Sequence, residues 1–332
     1  MHRLRAIYTH TQPSTPPPLP TTGAAATRCR PLLSAATAAT TDPPPRGRHH
    51  LSTAELERWR ADGFLHCRGW WSAEEIAILR EAIATDPLLS AHNTPIAGAL
   101  DFTVWWYPDV DTYGMFARDD ATVRAAAALI GEAPDDTYME QQSMFLKPPR
   151  AAGQIRDHQD FGYTYTQGIL HPHKLLQMIV SIDRNTEANG CVTCLRGSHV
   201  LGRLQHADRG DGQLGADPER VKAAAEFFPR VALELEPGDI CFTHSCLLHG
   251  SLANRTDDPR WNMVIGYCAK SNEPRVELIA DNFATAGLSG DDQRSIKPLF
   301  NRIERVDEGS VARLGVKHLL SRSRPPSHFL SD

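Results

Sequence analysis

Three side chains in this chain have the chemistry of a metal site. His158 and Asp160 stand two residues apart in His158-Gln159-Asp160. On an extended segment, residues at that spacing point to one face and can share one ion. Alone the pair says little, because the chain holds 15 histidines. Context comes from the later run Gly238-Asp239-Ile240-Cys241-Phe242-Thr243-His244-Ser245-Cys246-Leu247-Leu248-His249-Gly250-Ser251. A distal histidine from that run would complete a face of two imidazoles and one carboxylate. On non-haem Fe(II) this set leaves adjacent positions open, which suits a chelating oxoacid together with O2. Ser251 shares the face of His249 if extension continues. Arg260 opens the next alternating run, where its planar guanidinium can pair bidentately with a carboxylate at the far end of such an oxoacid. Arg255 is the competing cation.

These residues need strands to hold them. From Thr137 onward, short apolar or alternating runs broken by turn residues predict strands over 138–147, 158–165, 175–183, 191–195, 231–235, 239–248 and 260–268. Before them, Ser52-Thr53-Ala54-Glu55 and Ser72-Ala73-Glu74-Glu75 both carry the capping-box pattern of a helix start. The first helix should stop at Asp62-Gly63, and a third should run from Asp120 to Ile130. An insertion over 203–229 carries the helix signal Asp217-Pro218-Glu219. Evenly spaced strands after a helical start predict a mainly β domain, a sheet pair or barrel with helices packed outside. Within it, alternation puts Gln177 on the face of Leu175, Ile179 and Ser181. If that face looks inward, Gln177 can contact the oxoacid or the substrate, and Ser143 is a similar candidate on its own strand. Phe161 and Tyr163, directly after Asp160, are candidates for the pocket mouth. Cys191-Val192-Thr193-Cys194 is half of a zinc pattern without a second half and reads as strand. His171 and His173 read as solvated loop residues, and His244, off the face of His249, as a packed one.

With these motifs in order, the sequence resembles the phytanoyl-CoA hydroxylase (phytanoyl-CoA dioxygenase) family of Fe(II)/2-oxoglutarate-dependent dioxygenases. The likeness covers roughly residues 56–270. It includes Trp59-Arg60-Ala61-Asp62-Gly63-Phe64-Leu65, Lys147-Pro148-Pro149, His158-Gln159-Asp160-Phe161-Gly162-Tyr163, Asn189-Gly190-Cys191, Gly197-Ser198-His199, and the Gly238 to Ser251 block followed by Arg260. The resemblance implies a double-stranded β-helix (jelly roll, cupin-like). It implies Fe(II) on His158, Asp160 and His249, with 2-oxoglutarate and O2 as cosubstrates. Arg260 and Ser251 would hold the distal carboxylate of 2-oxoglutarate. The implied reaction is hydroxylation of a C–H bond of a small organic substrate (an acyl-CoA, an amino-acid derivative or a secondary metabolite), with release of succinate and CO2. Arg196 stands where the family usually has Pro before Gly-Ser-His. Two rival readings are a related halogenase, which would need a small residue in place of Asp160, and a jelly-roll binding protein without catalysis.

Composition narrows the rest. A net charge of -5 over 332 residues disfavours a nucleic-acid partner, and no stretch is apolar for long enough to span a membrane. Seven cysteines are too few and too scattered for a disulfide framework, so a reducing, intracellular compartment is expected. A small-molecule substrate is the partner implied; the sequence points to no protein partner. The first 50 residues hold 9 of the 24 prolines, with six arginines against the single acid Asp42. Such a segment is expected to be a disordered tail, with the composition of a mitochondrial or plastid transit peptide. Arg3-Leu4 followed by His10 also resembles a peroxisomal nonapeptide, departing from it at Thr11. The expected division is a tail over 1–50, a dioxygenase domain over 51–276 and a polar extension over 277–332. Deleting residues 1–48 should leave the melting temperature nearly unchanged in a calorimetric scan, since that segment offers no periodic apolar face; a large drop would contradict this.

Overall fold

Reciprocal hydrogen bonds start the first two helices where the sequence predicts. The Ser52 hydroxyl accepts the Glu55 N–H at 3.3 Å and the Glu55 carboxylate accepts the Ser52 N–H at 2.8 Å, which opens α1 (Thr53–Asp62). Ser72 and Glu75 repeat the arrangement at α2 (Ala73–Thr85). Each such cap contributes about 1 kcal/mol. Helix α1 ends in the left-handed Gly63, followed by α3 (Thr112–Ala117) and α4 (Asp120–Ile130), the latter ending at Gly131. Two further helices, α5 (Asp160–Thr164) and α6 (Pro218–Phe227), lie among the strands. The computed structural model describes residues 50–87, 89, 94–96, 100–105, 111–208, 213–275 and 303. The expected tail and nearly all of the C-terminal extension lie outside the described residues.

The strands are β1 (Phe64–Cys67), β2 (Thr94–Ile96), β3 (Leu100–Trp105), β4 (Thr137–Lys147), β5 (Ile155–His158), β6 (Leu175–Ser181), β7 (Val192–Leu195), β8 (His206–Asp208), β9 (Leu214–Ala216), β10 (Arg230–Ala232), β11 (Ile240–His244), β12 (His249–Ser251) and β13 (Arg260–Ala269). A seven-stranded sheet runs β1-β11-β6-β13-β4-β3-β2, and a four-stranded sheet runs β10-β7-β12-β5. Strands β8 and β9 form a separate hairpin. The two larger sheets are the walls of a jelly roll, as expected.

Alternation divides the large sheet cleanly. Met144, Leu176, Met178, Val180, Phe242, Met263 and Ile265 pack outward with Leu79, Phe116 and Val123 from the helices in one buried cluster. Burying each such large side chain stabilises the fold by about 1.5–3 kcal/mol. The residues between them face the small sheet. There Ile179 and Cys241 meet Cys194, Leu233, Leu235 and Leu247. The outer face is therefore largely apolar, with the buried Gln142 amide donating to the Tyr113 carbonyl at 3.0 Å, and the inner face carries most of the polar groups.

Three expected elements differ. The strand predicted over 158–165 is only β5, ending at His158, and the chain then turns into α5. The ladder stops because neighbouring donors are taken elsewhere: Gln159 donates its N–H to His206 Nε2 at 2.9 Å and Phe161 donates to the Ser245 carbonyl at 2.9 Å. The run 239–248 is broken by a turn after His244, so His249 begins its own strand. Of 231–235, only β10 is laddered, and Leu235 makes an isolated bridge to Asn185. The expected insertion holds the β8–β9 hairpin and α6, capped by Asp217.

At Gly238, φ is 91° and a Cβ would lie 2.3 Å from the Trp71 carbonyl oxygen. Gly238→Ala should therefore lower the unfolding free energy by about 1–2 kcal/mol from the left-handed backbone alone, with the carbonyl clash adding to it. Urea denaturation measures this, and an unchanged midpoint would contradict it.

Candidate active site

His158 closes β5 and His249 opens β12, and the two are direct partners across the antiparallel ladder. Their rings stand side by side, with centroids 4.3 Å apart. His158 Nδ1 lies 2.7 Å from the Arg156 carbonyl and His249 Nδ1 lies 2.9 Å from the Leu247 carbonyl. A carbonyl only accepts, so both Nδ1 atoms carry the proton and both Nε2 atoms can present a lone pair. Asp160, the first residue of α5, completes the set: its Oδ1 is 3.7 Å from each Nε2. Among the described residues this is the one cluster of histidine, cysteine or acidic side chains placed to hold a metal ion. Asp160 does not lie on the strand predicted over 158–165. Its side chain reaches the histidines from the first turn of a helix, not from a continuing strand.

The electrostatics fit a cation. Burial works against the Asp160 carboxylate, but the neighbouring His249 and His158 outweigh it and hold its pKa below the ordinary value. Burial also opposes protonation of His158, yet Asp160 and the Arg156 carbonyl raise its pKa on balance, whereas burial lowers that of His249. Asp160 Oδ2 is buried without a hydrogen-bond partner. Two aligned imidazole nitrogens and an ionised carboxylate are the donor set that suits Fe(II), so the residues fit the metal that the resemblance implies.

Beyond the metal face the cavity has a volume of about 660 Å³, counting space open to solvent. Its apolar walls are Phe145, Ile155, Ile179, Val192 and Val264. Arg260 lies at one end, 3% exposed, donating from Nη2 to the Gly190 carbonyl at 2.9 Å, with Nε buried and unpartnered. Burial lowers its pKa to about 10. Arg260 pairs directly with Lys147 across β13 and β4. The Lys147 ammonium donates to Ser251 Oγ at 3.1 Å and to the Leu252 carbonyl. Burial first, and then the Arg260 charge, pull the Lys147 pKa down to about 7. Among the described residues neither cation is in an ion pair with a carboxylate. Two buried cations and a hydroxyl form a receptor for an anion.

Ser251 and Arg260 thus share one end of the cavity; Lys147, to which the sequence assigns no role, is not among the lining residues and meets that end through Ser251, whose hydroxyl accepts from its ammonium. Its signal was alternation: 143, 145 and 147 share the inward face of β4. Arg255 is exposed and lies outside the cavity lining. Gln177 lines the cavity, six residues along β13 from Arg260, opposite Gly266. Ser143 is fully buried with an unpartnered hydroxyl, on the rung of Val264, and is not among the lining residues. Phe161 and Tyr163 do not reach the cavity. The α5 turn directs Phe161 into a separate cluster with Tyr138, Ile169 and Leu175, while the Tyr163 hydroxyl donates to the Leu214 carbonyl at 2.7 Å and its ring stands edge-on to His158.

Two bracing residues were also missed. The Gln159 side chain donates to the Gly202 and Cys246 carbonyls, both at 2.7 Å, and accepts the Leu204 N–H at 2.7 Å. His206 accepts the Gln159 N–H, and burial lowers its pKa to about 4, so it stays neutral in that role. Together they tie the segment between His158 and Asp160 to the 202–206 loop. His244 is buried as expected, accepting the Cys246 N–H at 3.0 Å and lying 3.0 Å from His173 Nδ1.

The sequence profile of the phytanoyl-CoA dioxygenase (PhyH) family matches residues 59–262, which holds His158, Asp160, His249, Lys147, Ser251 and Arg260. A probable phytanoyl-CoA dioxygenase of Caenorhabditis elegans is 30% identical over 151 residues, covering 43% of this chain and 46% of that protein. The chain therefore matches somewhat less than half the length of that relative. An ectoine dioxygenase of Stutzerimonas stutzeri is 25% identical over 240 residues, covering 64% of this chain and 76% of that protein. Among solved structures, EctD from S. alaskensis with 2-oxoglutarate and 5-hydroxyectoine shares the fold at a TM-score of 0.59 and 23% identity, covering 80% of this chain and 93% of that one. The same protein with bound Fe gives a TM-score of 0.60 at 23% identity, covering 78% and 89%. With its metal face and the Arg260–Lys147 pair inside a matched region that spans more than half of the chain, the chain belongs to the phytanoyl-CoA dioxygenase family.

Proposed function

We propose that the protein is an Fe(II)- and 2-oxoglutarate-dependent dioxygenase that hydroxylates a C–H bond of a small organic molecule. The balance is one substrate, one 2-oxoglutarate and one O2 giving hydroxylated substrate, succinate and CO2. The observation that carries this reading is the pairing, in one cavity, of a two-histidine, one-carboxylate face with the buried Arg260, which has Lys147 beside it across the sheet and, among the described residues, no carboxylate to neutralise it. His158, Asp160 and His249 would hold the iron. Bound there with 2-oxoglutarate, iron supplies the O2 activation that attack on an unactivated C–H bond requires. Arg260, Lys147 and Ser251 would grip the distal carboxylate of the oxoacid and so orient its other end toward the metal. Phe145, Ile155, Ile179, Val192 and Val264 would exclude water from the reacting centre. Asp160 occupies the position that a halogenase would need to leave small, and its presence favours hydroxylation. The test is a screen of candidate substrates scored by substrate-stimulated release of succinate. Failure of any Fe(II)-dependent succinate release would overturn the reading.

Replacing His158, Asp160 or His249 with Ala should weaken binding of Fe(II), or of Mn(II) as a spectroscopic substitute, by at least the ~10–100-fold that loss of an outer-shell partner causes. Titration followed by electron paramagnetic resonance measures this. Wild-type affinity in any of the three would remove that residue from the metal face.

Arg260→Ala should raise the 2-oxoglutarate requirement by about 30-fold or more, since truncating one side of a desolvated ion pair costs about 2–5 kcal/mol. Metal affinity should hardly change. If Arg255→Ala has the large effect instead, the oxoacid is placed wrongly.

Lys147 gives a proton signal. With its pKa lowered to about 7, the amine is largely neutral in the free protein at about pH 8, and an arriving carboxylate raises that pKa and draws a proton in. Calorimetry in buffers of different ionisation enthalpy should record proton uptake on 2-oxoglutarate binding, and Lys147→Met should remove it. Equal uptake in both proteins would contradict the assignment.

A further inference from the structure

The inward face of the large sheet is graded. Lys147 and Arg260 form one rung; Phe145, Asn262 and Ser181 form the next, followed by Ser143, Val264 and Ile179. Six residues along β13 from Arg260, Gly266 pairs with Gln141 on one side and Gln177 on the other, and Gln177 pairs with Thr243. At about 3.3 Å per residue, that rung is roughly 20 Å from the cation rung. A 2-oxoglutarate held by Arg260 spans at most four C–C bonds of about 1.5 Å each. It therefore ends well short of Gln177, and the amide is free for the other reactant.

Gln177 is 3% exposed and lines the cavity, yet neither its Oε1 nor its Nε2 has a hydrogen-bond partner. A buried carboxamide left in that state is costly, and native structures seldom leave one without a partner supplied from elsewhere. The Thr243 hydroxyl does not serve the amide, because it donates to the Gln177 backbone carbonyl at 3.4 Å. Gly266 makes the space: a Cβ there would stand 2.9 and 3.0 Å from the two amide atoms of Gln177 and 2.8 Å from a carboxylate oxygen of Glu140. The bare Cα lets the Gln177 amide and the Glu140 carboxylate crowd the same spot; Gln177 lines the cavity there, and Glu140, not among the lining residues, stands next to it. Gln141 lines the cavity across the same glycine.

We propose that Gln177, seated over Gly266 beside Glu140 and Gln141, is the subsite that holds the substrate's polar end. It takes a compact molecule with an N–H or O–H donor next to a carbonyl or carboxylate oxygen, as in an amino-acid derivative or a cyclic amide. The amide offers one acceptor and one donor to such a group, and the Glu140 carboxylate favours a donor beside it. A fatty acyl chain reaching this rung would bury the amide with no partner. The proposal rests on the dioxygenase reading above and goes further by choosing between its substrate classes.

The test uses the full chain with Fe(II), 2-oxoglutarate and O2, and two sets of probes: small zwitterionic amino-acid derivatives and cyclic amides, including ectoine, and acyl-CoA thioesters, including phytanoyl-CoA. The expected result is that a polar probe stimulates succinate release. Gln177→Leu should then raise the KM for that probe by about tenfold or more, as for a site built on hydrogen bonds, while KM for 2-oxoglutarate and substrate-free 2-oxoglutarate turnover stay at wild-type values. Gln177→Met serves if the leucine variant does not fold. Stimulation by acyl-CoA thioesters alone, no stimulation by either set, an unchanged probe KM, or a shift in the 2-oxoglutarate KM would each overturn the proposal. Absence of Fe(II)-dependent succinate release in the wild type both with and without every probe would instead overturn the dioxygenase reading itself.

Discussion

The hydrogen bond from each histidine of the candidate metal face to the carbonyl two residues before it sets the chemistry that the site can do. His158 to Arg156 and His249 to Leu247 are bonds within a few residues of chain, so each imidazole is oriented as soon as its strand end forms. The long-range part is then small: β5 and β12 need only pair in register to place the two Nε2 atoms on one rung. Asp160 depends on more. Its position requires the chain to leave the strand at Gln159, and that departure is held by His206 and by three bonds of the Gln159 side chain to the 202–206 loop and to Cys246. The insertion that carries His206 is thereby part of the metal site's support.

Charge in the cavity is segregated. Desolvating Arg260 and Lys147 side by side disfavours the charged forms of both, and no described carboxylate offsets it. The apolar packing of the opposite face of the same strands supplies stability against which this local cost is small. At the far end of the strands the polar groups are amides and a carboxylate. In the proposed reading a dianionic oxoacid would be attracted to the Arg260 end, leaving the remaining space to a different kind of group.

Much of this was legible in the sequence because it follows from local rules. Capping boxes and terminal glycines marked α1, α2 and α4, and alternation put Gln177 on one face of β6 with Leu175, Ile179 and Ser181, though which face looks inward needed the sheet pairing. The pairing of a metal face with Arg260 likewise needed only motif order and spacing. The mistakes share one physical origin, contacts distant in sequence. Nothing near residue 160 signals that His206 and Ser245 take the backbone donors that a strand would use, so α5 read as strand and Phe161 and Tyr163 were assigned to a pocket they do not line. Lys147 was overlooked because a lysine at a strand end is ordinarily solvated; only the rung shared with Arg260 buries it.

The central claim is that the cavity has a direction, with the oxoacid at the cation end and the metal between it and the amides. A crystal structure of the protein with Mn(II) and 2-oxoglutarate bound tests this most directly. The account predicts the metal on His158, Asp160 and His249, the distal carboxylate against Arg260 and Lys147, and open space beside Gln177. A distal carboxylate bound at Gln177, or a metal held without Asp160, would contradict it.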